Sequence, residues 1–129
     1  MKLLLDTHIW LWHELEPERL EARTARVLSD PRHELWVSPV SAWELVLLVE
    51  GKRLELDREV PAWVEMSLAG ERYRQAPLTM AVAMTAARVR LEHRDPADRL
   101  LAATAAHYDM KLVTADRRLL AGHGFALFR

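Results

Sequence analysis

The chain has 129 residues, with 18 lysine and arginine side chains against 19 aspartate and glutamate side chains, and half of its residues are hydrophobic. This length suits one domain over residues 1–129 with a real apolar core, and the composition excludes a disordered or fibrous chain. Because the chain contains no cysteine, disulfide scaffolds, thiolate metal sites and cysteine nucleophiles are excluded.

Short apolar strands alternate with helices along the chain. Helix starts are indicated by Ser38 and Asp95, each followed by a proline, and helix ends by Gly51 and Gly70. The predicted strands are residues 2–5, 34–38, 73–76, 111–114 and 125–128. The predicted helices are residues 18–30, 39–50, 58–69, 80–91, 96–108 and 116–121. Since the strands are apolar rather than alternating between polar and apolar residues, the pattern predicts an α/β fold with a parallel central sheet and helices on both faces.

Two aspartates follow predicted strands. Asp6 ends the first strand, and Asp116 comes shortly after the fourth. Since ligand sites of parallel sheets lie beyond the carboxyl ends of strands, both carboxylates can reach one crevice. Aspartate also favours helix N-caps, so each residue taken alone could equally be a cap. The neighbouring Thr7 and Thr114 can hydrogen-bond an acid or a water, although a cap or strand-edge role explains them equally well.

Two further acids lie on predicted helices. Glu44 is the only charged side chain between Glu34 and Glu50, in a helix that is apolar on nearly every face. A carboxylate there is costly unless it is paired with an arginine or bound to a metal. Asp98 lies three residues after Asp95, the expected N-cap of its helix, so Asp98 is predicted to be a rigidly held acid.

A parallel fold can bring four acids together: Asp6, Glu44, Asp98 and Asp116. Like charges cannot share a site without a counter-charge. Oxygen ligands select Mg²⁺ or Mn²⁺ over zinc or copper, and one or two such ions can activate water and stabilise the leaving oxygen of a phosphodiester. We therefore expect the four acids to be metal ligands and catalytic residues. Three more residues are expected to orient these acids or a water: Thr7, Thr114 and Asp95.

Basic and aromatic residues near these acids give weaker signals. Arg99, Arg117 and Arg118 could hold phosphates, although solvated helix faces would explain any one of them. The six histidines show no metal-ligand spacing, and His8 and His93 lie closest to the acids. The five tryptophans are expected to pack in the core or an interface rather than to stack on bases. Residues 65–129 carry 10 basic and 7 acidic side chains, so this half is expected to face an anion.

Several classes of site and location are excluded by the absence of their signals. The chain has no phosphate-binding loop, dinucleotide fingerprint, serine nucleophile elbow or zinc-protease motif, so no nucleotide cofactor is expected. No apolar run suits a signal peptide or a membrane span, which predicts a cytoplasmic protein without membrane contact. The near-neutral net charge predicts weak sequence-independent affinity for RNA.

Four segments of the chain resemble PIN-domain ribonucleases, in particular the VapC-type toxins of toxin–antitoxin pairs: MKLLLDTHIWLW, SPVSAWEL, DPADRLLAATA and LVTAD. The resemblance implies a three-layer α/β/α PIN-like domain that uses Mg²⁺ or Mn²⁺ to cut RNA, a homodimer, and a cognate antitoxin protein that blocks the site. The positions that match the family's acids are Asp6, Glu44, Asp98 and Asp116. The chain departs from many relatives at Leu48 and Val49, where they carry a lysine.

The residues and the resemblance together predict a Mg²⁺-dependent endoribonuclease, the toxin of a type II toxin–antitoxin pair, that hydrolyses RNA with a metal-activated water. One alternative is a PIN-like nuclease that acts in RNA processing or on DNA. Another is a degenerate domain that binds RNA or a partner without cutting. A phosphatase of the aspartyl-phosphate kind needs a second acid two residues after the first, and His8 stands there instead.

Overall fold

The computed structural model describes all residues from 1 to 129, which form one five-stranded parallel sheet surrounded by seven α-helices. The strands are β1 Lys2–Leu5, β2 Glu34–Val37, β3 Tyr73–Gln75, β4 Lys111–Val113 and β5 Ala126–Leu127. The helices are α1 Thr7–Leu15, α2 Ala22–Ser29, α3 Pro39–Glu50, α4 Val60–Ala69, α5 Met80–Thr85, α6 Pro96–His107 and α7 Arg117–Leu120. Two 3₁₀ turns are Pro17–Arg19 and Ala86–Arg88. The predicted α/β fold with a parallel sheet is confirmed.

The order of strands in the sheet is β3-β2-β1-β4-β5, so β1 lies at the centre. The chain moves to one side of β1 through β2 and β3, and to the other side through β4 and β5. The two strands beside β1 are β2 and β4, and both pair with it in parallel register. For example, Leu4 pairs with Trp36 and Leu5 pairs with Val113. The order reverses at β1, and open sheets form their ligand crevice at such a reversal. Asp6 is the first residue beyond the carboxyl end of β1.

Two apolar clusters cover the two faces of the sheet and give the molecule its three layers. Leu3 and Leu5 point into one cluster, and Leu4 points into the other, as the alternation of side chains along a strand requires. All three leucines are fully buried. The first cluster includes side chains of α1, α2, α3 and α4, and the second is built largely from α5, α6 and α7. Burial on both faces explains why the last three residues of β1 are all apolar.

The structure differs from the sequence-based prediction just after β1. Residues 7–15 form α1, where no helix is predicted, and the predicted helix 18–30 is divided into a 3₁₀ turn and α2. Three consecutive residues of α1, Ile9, Trp10 and Leu11, are buried, so the segment lacks the polar stripe by which an amphipathic helix is recognised.

The predicted helix 80–91 is also shorter in the structure, because α5 ends at Thr85 and a 3₁₀ turn follows to Arg88. The hydroxyl of Thr85 donates to the carbonyl of Ala81, a bond that competes with regular helical geometry. Two residues beyond the turn, Arg90 forms an isolated antiparallel bridge with His123. None of the helices combines the length and apolarity that crossing a membrane requires.

Candidate active site

A cavity of about 590 Å³ opens beyond the carboxyl ends of the central strands. Its walls come from the residues after β1 and β4, from α3, and from the start of α6. Five acids line this acidic cavity: Asp6, Glu44, Asp95, Asp98 and Asp116. The structure therefore brings together the four acids predicted as ligands and the predicted supporting residue Asp95.

Asp6 both caps a helix and faces the acidic cavity. Its Oδ1 accepts a hydrogen bond from the backbone amide of His8 at 3.0 Å, which caps α1. Its Oδ2 accepts a hydrogen bond from Thr114 Oγ1 at 2.5 Å. Only 8% of Asp6 is exposed, and burial raises the pKa of its carboxyl although these two hydrogen bonds oppose the rise. The capping role and the predicted site role of Asp6 are therefore compatible.

Glu44 has no basic partner. Its Oε1 accepts a hydrogen bond from Thr7 Oγ1 at 2.5 Å, and that hydroxyl also lies 2.8 Å from Ser41 Oγ. No lysine, arginine or histidine lies within salt-bridge distance of Glu44. Burial, together with the nearby negative charges of Asp6, Asp98 and Asp95, raises the pKa of Glu44 to about 7. The structural salt bridge that the sequence leaves open for this residue is not formed.

Asp98 is held at the start of α6 beside a histidine. Asp95 caps the helix by accepting hydrogen bonds from the amides of Ala97 and Asp98, as predicted. His93 Nε2 lies 2.7 Å from Asp98 Oδ2, and His93 Nδ1 is buried without a partner. A bare nitrogen is tolerated there better than an N–H, so the neutral ring carries its proton on Nε2 and donates it to Asp98. Burial raises the pKa of Asp98, and the hydrogen bond from His93 opposes that rise.

Asp116 differs from the other acids because an arginine neutralises it. Arg118 donates to Asp116 through Nε at 3.3 Å and Nη2 at 3.0 Å, and these contacts lower the pKa of Asp116. The same Nη2 lies 3.9 Å from Asp98 Oδ2. Asp116 also caps α7, and its amide donates to Thr114 Oγ1 at 3.0 Å. Thr114 thus joins Asp6 and Asp116 across two strand ends.

Comparison with known proteins identifies the family of the chain. The sequence model of the PIN domain matches residues 3–122. The chain belongs to the PIN domain family. This PIN domain is of the VapC type, since it is 37% identical over 118 residues to Ribonuclease VapC22 of Mycobacterium tuberculosis (strain ATCC 25618 / H37Rv), covering 91% of this chain and 88% of that protein.

Solved structures confirm the fold of this PIN domain. VapBC2 from Rickettsia felis, bound to a DNA fragment from their promoter, superposes with a TM-score of 0.71 at 14% identity, covering 99% of this chain and 98% of that chain. DNA-bound VapBC from Salmonella typhimurium has a TM-score of 0.65 at 17% identity, covering 99% and 97%. FitAcB from Neisseria gonorrhoeae has a TM-score of 0.63 at 22% identity, covering 98% and 96%. These likenesses identify the three-layer PIN fold.

The side chains of this PIN domain fit a hard divalent cation by their chemistry. No three of its carboxylate or histidine groups lie close enough together to hold one ion as they stand. Each acid is instead turned to a local partner: Thr114 for Asp6, Thr7 for Glu44, His93 for Asp98 and Arg118 for Asp116. Burial first, and the neighbouring acids second, raise the pKa values of Asp6, Glu44 and Asp98, so a bound cation would favour their ionised forms. Oxygen donors in this number suit Mg²⁺ or Mn²⁺.

The three arginines predicted to hold phosphates have different surroundings. Arg118 lines the acidic cavity, and Arg117 lines a second cavity next to it. Arg99 lines neither cavity, because its Nη1 donates to the backbone carbonyls of Ala86 and Val89 at 3.2 and 2.9 Å. Arg99 therefore fixes the 3₁₀ turn after α5 against α6, which corrects its predicted role as a phosphate contact.

Other residues of the site are not predicted from the sequence. Arg53, in the turn after α3, lines the acidic cavity and supplies positive charge near the helix end where Leu48 and Val49 carry none. Trp12 and Arg19 also line it, with the Arg19 guanidinium 4.6 Å from the centre of the Trp12 ring. Neither the charge nor the spacing of these residues distinguishes them in the sequence. They reach the cavity only in the folded chain, through turns and helix ends.

Proposed function

We propose that this PIN domain is a Mg²⁺- or Mn²⁺-dependent endoribonuclease, and that it is the toxin of a type II toxin–antitoxin pair acting in the cytoplasm. The observation that carries the proposal is the convergence of five acids on one cavity, with Glu44 unpaired and its pKa raised to about 7. The 37% identity to Ribonuclease VapC22 supports RNA as the substrate.

The acids and their hydroxyl partners have separate roles in this proposal. The residues that would hold the cation are Asp6, Glu44, Asp98 and Asp116. When bound, a divalent cation supplies activation of water and stabilisation of the leaving oxygen of a phosphodiester. Thr7 and Thr114 orient the carboxylates of Glu44 and Asp6. Arg118 has 58% of its side chain exposed, so it can turn from Asp116 to the phosphate that enters the cavity.

Matched substrates separate this proposal from a DNA nuclease. A single-stranded RNA and a DNA of the same sequence are incubated with the protein and Mg²⁺, and cleavage of the RNA alone is expected. Faster cleavage of the DNA would favour the alternative.

A role in RNA processing is distinguished in cells, because expression of a toxin arrests growth whereas expression of a processing enzyme does not. Absence of divalent-cation binding by calorimetry would favour the degenerate binding domain.

Thr114→Val is expected to lower the cleavage rate by about 10- to 100-fold, because residues that orient metal ligands have effects of this size. The substitution removes the hydroxyl that donates to Asp6 and accepts from the amide of Asp116. Thr114→Ser keeps the hydroxyl and is the matched control, for which nearly parental activity is expected. The measurement is the initial rate of RNA cleavage at several Mg²⁺ concentrations. Equal cleavage rates for the valine and serine variants would show that Thr114 has no role in the site.

We also propose a protein antitoxin as the partner of this PIN domain. The support is that solved structures with the same fold are VapBC and FitAB assemblies, together with the resemblance to VapC-type toxins. The product of an adjacent small gene, co-purified with the chain, is expected to abolish RNA cleavage. Full cleavage by the stoichiometric complex would contradict this part of the proposal.

Self-association of two copies is proposed through the outer face of α5. Met80 and Met84 lie one turn apart on this helix and are 84% and 70% exposed, next to the exposed Leu78. Large exposed apolar patches mark interaction surfaces. We expect the parent to sediment as a dimer and Met84→Glu as a monomer, with Met66→Glu, on exposed α4 surface, as the control that stays dimeric. A monomeric parent, or a dimeric Met84→Glu variant, would exclude this interface.

A further inference from the structure

A second cavity, of about 470 Å³, adjoins the acidic cavity. Trp12, Arg19 and Ala115 line both, so the two spaces share a wall. The charged residues of the second cavity are Arg19, Arg23, Arg117, Arg129 and Glu21. Four positive charges and one negative charge face this arginine cavity, whereas five acids and three arginines face its neighbour. The sign of the surface charge therefore changes across the shared wall.

Two of these arginines are free to bind a ligand. Neither Arg23 nor Arg117 has a carboxylate within salt-bridge distance, in contrast to Arg118, which pairs with Asp116 at 3.0 Å. The guanidinium of Arg23 lies 5.1 Å from the centre of the Phe128 ring. Packing against an aromatic ring restrains the plane of a guanidinium and leaves its N–H edge available for two hydrogen bonds to one phosphate.

The arginine cavity supplies positive charge next to the negatively charged acidic cavity. RNA is a polyanion, and the acidic cavity, with five acids against three arginines, keeps an excess of negative charge that opposes its approach. The net charge of the whole chain is −1, so general attraction does not overcome that repulsion. Binding free energy must come from a local positive surface close to the acids. The arginine cavity is such a surface, and it is continuous with the acidic cavity past Trp12 and Ala115.

We propose that the arginine cavity binds the backbone phosphates next to the scissile one in a single-stranded RNA, an inference that rests on the ribonuclease function proposed above. Arg23 and Arg117 contact these phosphates. Arg19, whose guanidinium lies over the Trp12 ring at the shared wall, offers a flat face on which a base between the two cavities stacks. An acidic peptide has the same charge but does not need a path into the acidic cavity, so the continuity of the two cavities favours RNA.

The test compares two double variants that each remove two positive charges. One is Arg23→Ala/Arg117→Ala, and the control is Arg26→Ala/Arg88→Ala. Arg26 lies on α2 with Arg23, and neither Arg26 nor Arg88 lines the two cavities. Binding of a fluorescein-labelled 12-nucleotide single-stranded RNA is measured by fluorescence anisotropy in EDTA over a series of salt concentrations.

The cavity variant is expected to bind the RNA at least about tenfold more weakly at low salt. Its slope of log K against log salt should be shallower by about 1.4, since each phosphate contact to a single strand contributes about 0.7. The control should keep the parental slope. Arg23→Lys/Arg117→Lys restores the charges and should recover most of the slope, which separates lost phosphate contacts from a damaged fold.

Three results would overturn the inference. The first is a parental slope in Arg23→Ala/Arg117→Ala, and the second is RNA binding by the parent that does not depend on salt. The third is a loss of affinity for a 12-residue polyglutamate peptide that equals the loss for RNA, which would instead indicate an acidic protein ligand. Because the assay contains EDTA and no cleavage occurs, its outcome is independent of the proposed catalysis. An RNA that binds through Arg23 and Arg117 but is never cut would contradict the nuclease and leave the arginine cavity as an RNA-binding site.

Discussion

Asp98→Asn is expected to lower the rate of cation-dependent RNA cleavage by roughly 10³-fold, because a bound divalent cation contributes several kcal/mol to stabilisation of the transition state. Asp98 is 6% exposed and is held between His93 and the start of α6. The amide has the size of the carboxyl and can still accept the hydrogen bond from His93, so the helix should keep its packing. Initial rates with a labelled RNA measure the loss, and circular dichroism measures the fold.

Asp109→Asn is the matched control for this substitution. Asp109 is exposed in the turn between α6 and β4, and its φ of 55° is one that asparagine adopts readily. The control removes one carboxylate charge and should cleave RNA at the parental rate. A folded Asp98→Asn variant that cleaves within about twofold of the parent would show that Asp98 is not part of the catalytic site.

Glu44→Gln is expected to stabilise the cation-free protein at pH 8 by about 1–2 kcal/mol, after discounting for partial exposure of the side chain. Burial and the neighbouring acids raise the pKa of Glu44 from 4.5 to about 7 in the folded state. The folded protein therefore binds this proton more tightly than the unfolded chain does. The contribution of Glu44 to stability accordingly falls as pH rises from about 4.5 to about 7, and the glutamine variant escapes that loss.

Urea unfolding in EDTA at pH 5 and pH 8 measures this effect. The difference between Glu44→Gln and the parent should be small at pH 5 and largest at pH 8. Glu65→Gln, at an exposed position of α4, should show no such pH dependence. Addition of Mg²⁺ or Mn²⁺ should stabilise the parent more than the variant, because a ligand that binds only the folded state stabilises it. A glutamine variant that is less stable than the parent at pH 8 in EDTA would contradict the electrostatic account of the site.

The central part of the fold can be predicted from the sequence because its physical cause is local. A strand buried on both faces must be apolar at every position, and Leu3, Leu4 and Leu5 meet that requirement. The convergence of the acids is predictable for a similar reason. Asp6 comes at a strand end, and Glu44 is too costly to leave in an apolar helix without a partner. In the structure Asp6 and Glu44 line the same cavity.

Other features depend on neighbours that are distant in the sequence. Arg99 follows Asp98 directly, but its guanidinium is directed to the carbonyls of Ala86 and Val89 by the packing of α6 on the preceding turn. The arginine cavity joins Arg23 with Arg117, which lie near opposite ends of the chain. No local charge run indicates such a surface, and only the order of strands in the sheet brings its two halves together.

Cleavage of a mixed cellular RNA pool by the purified protein, with Mg²⁺, with Mn²⁺ and with EDTA, tests most directly whether the acidic cavity is a cation-dependent ribonuclease site. We predict discrete RNA fragments with either cation and intact RNA with EDTA. Fragments that persist in EDTA, or RNA that stays intact with a folded protein that is free of antitoxin and saturated with the cation, would contradict that function.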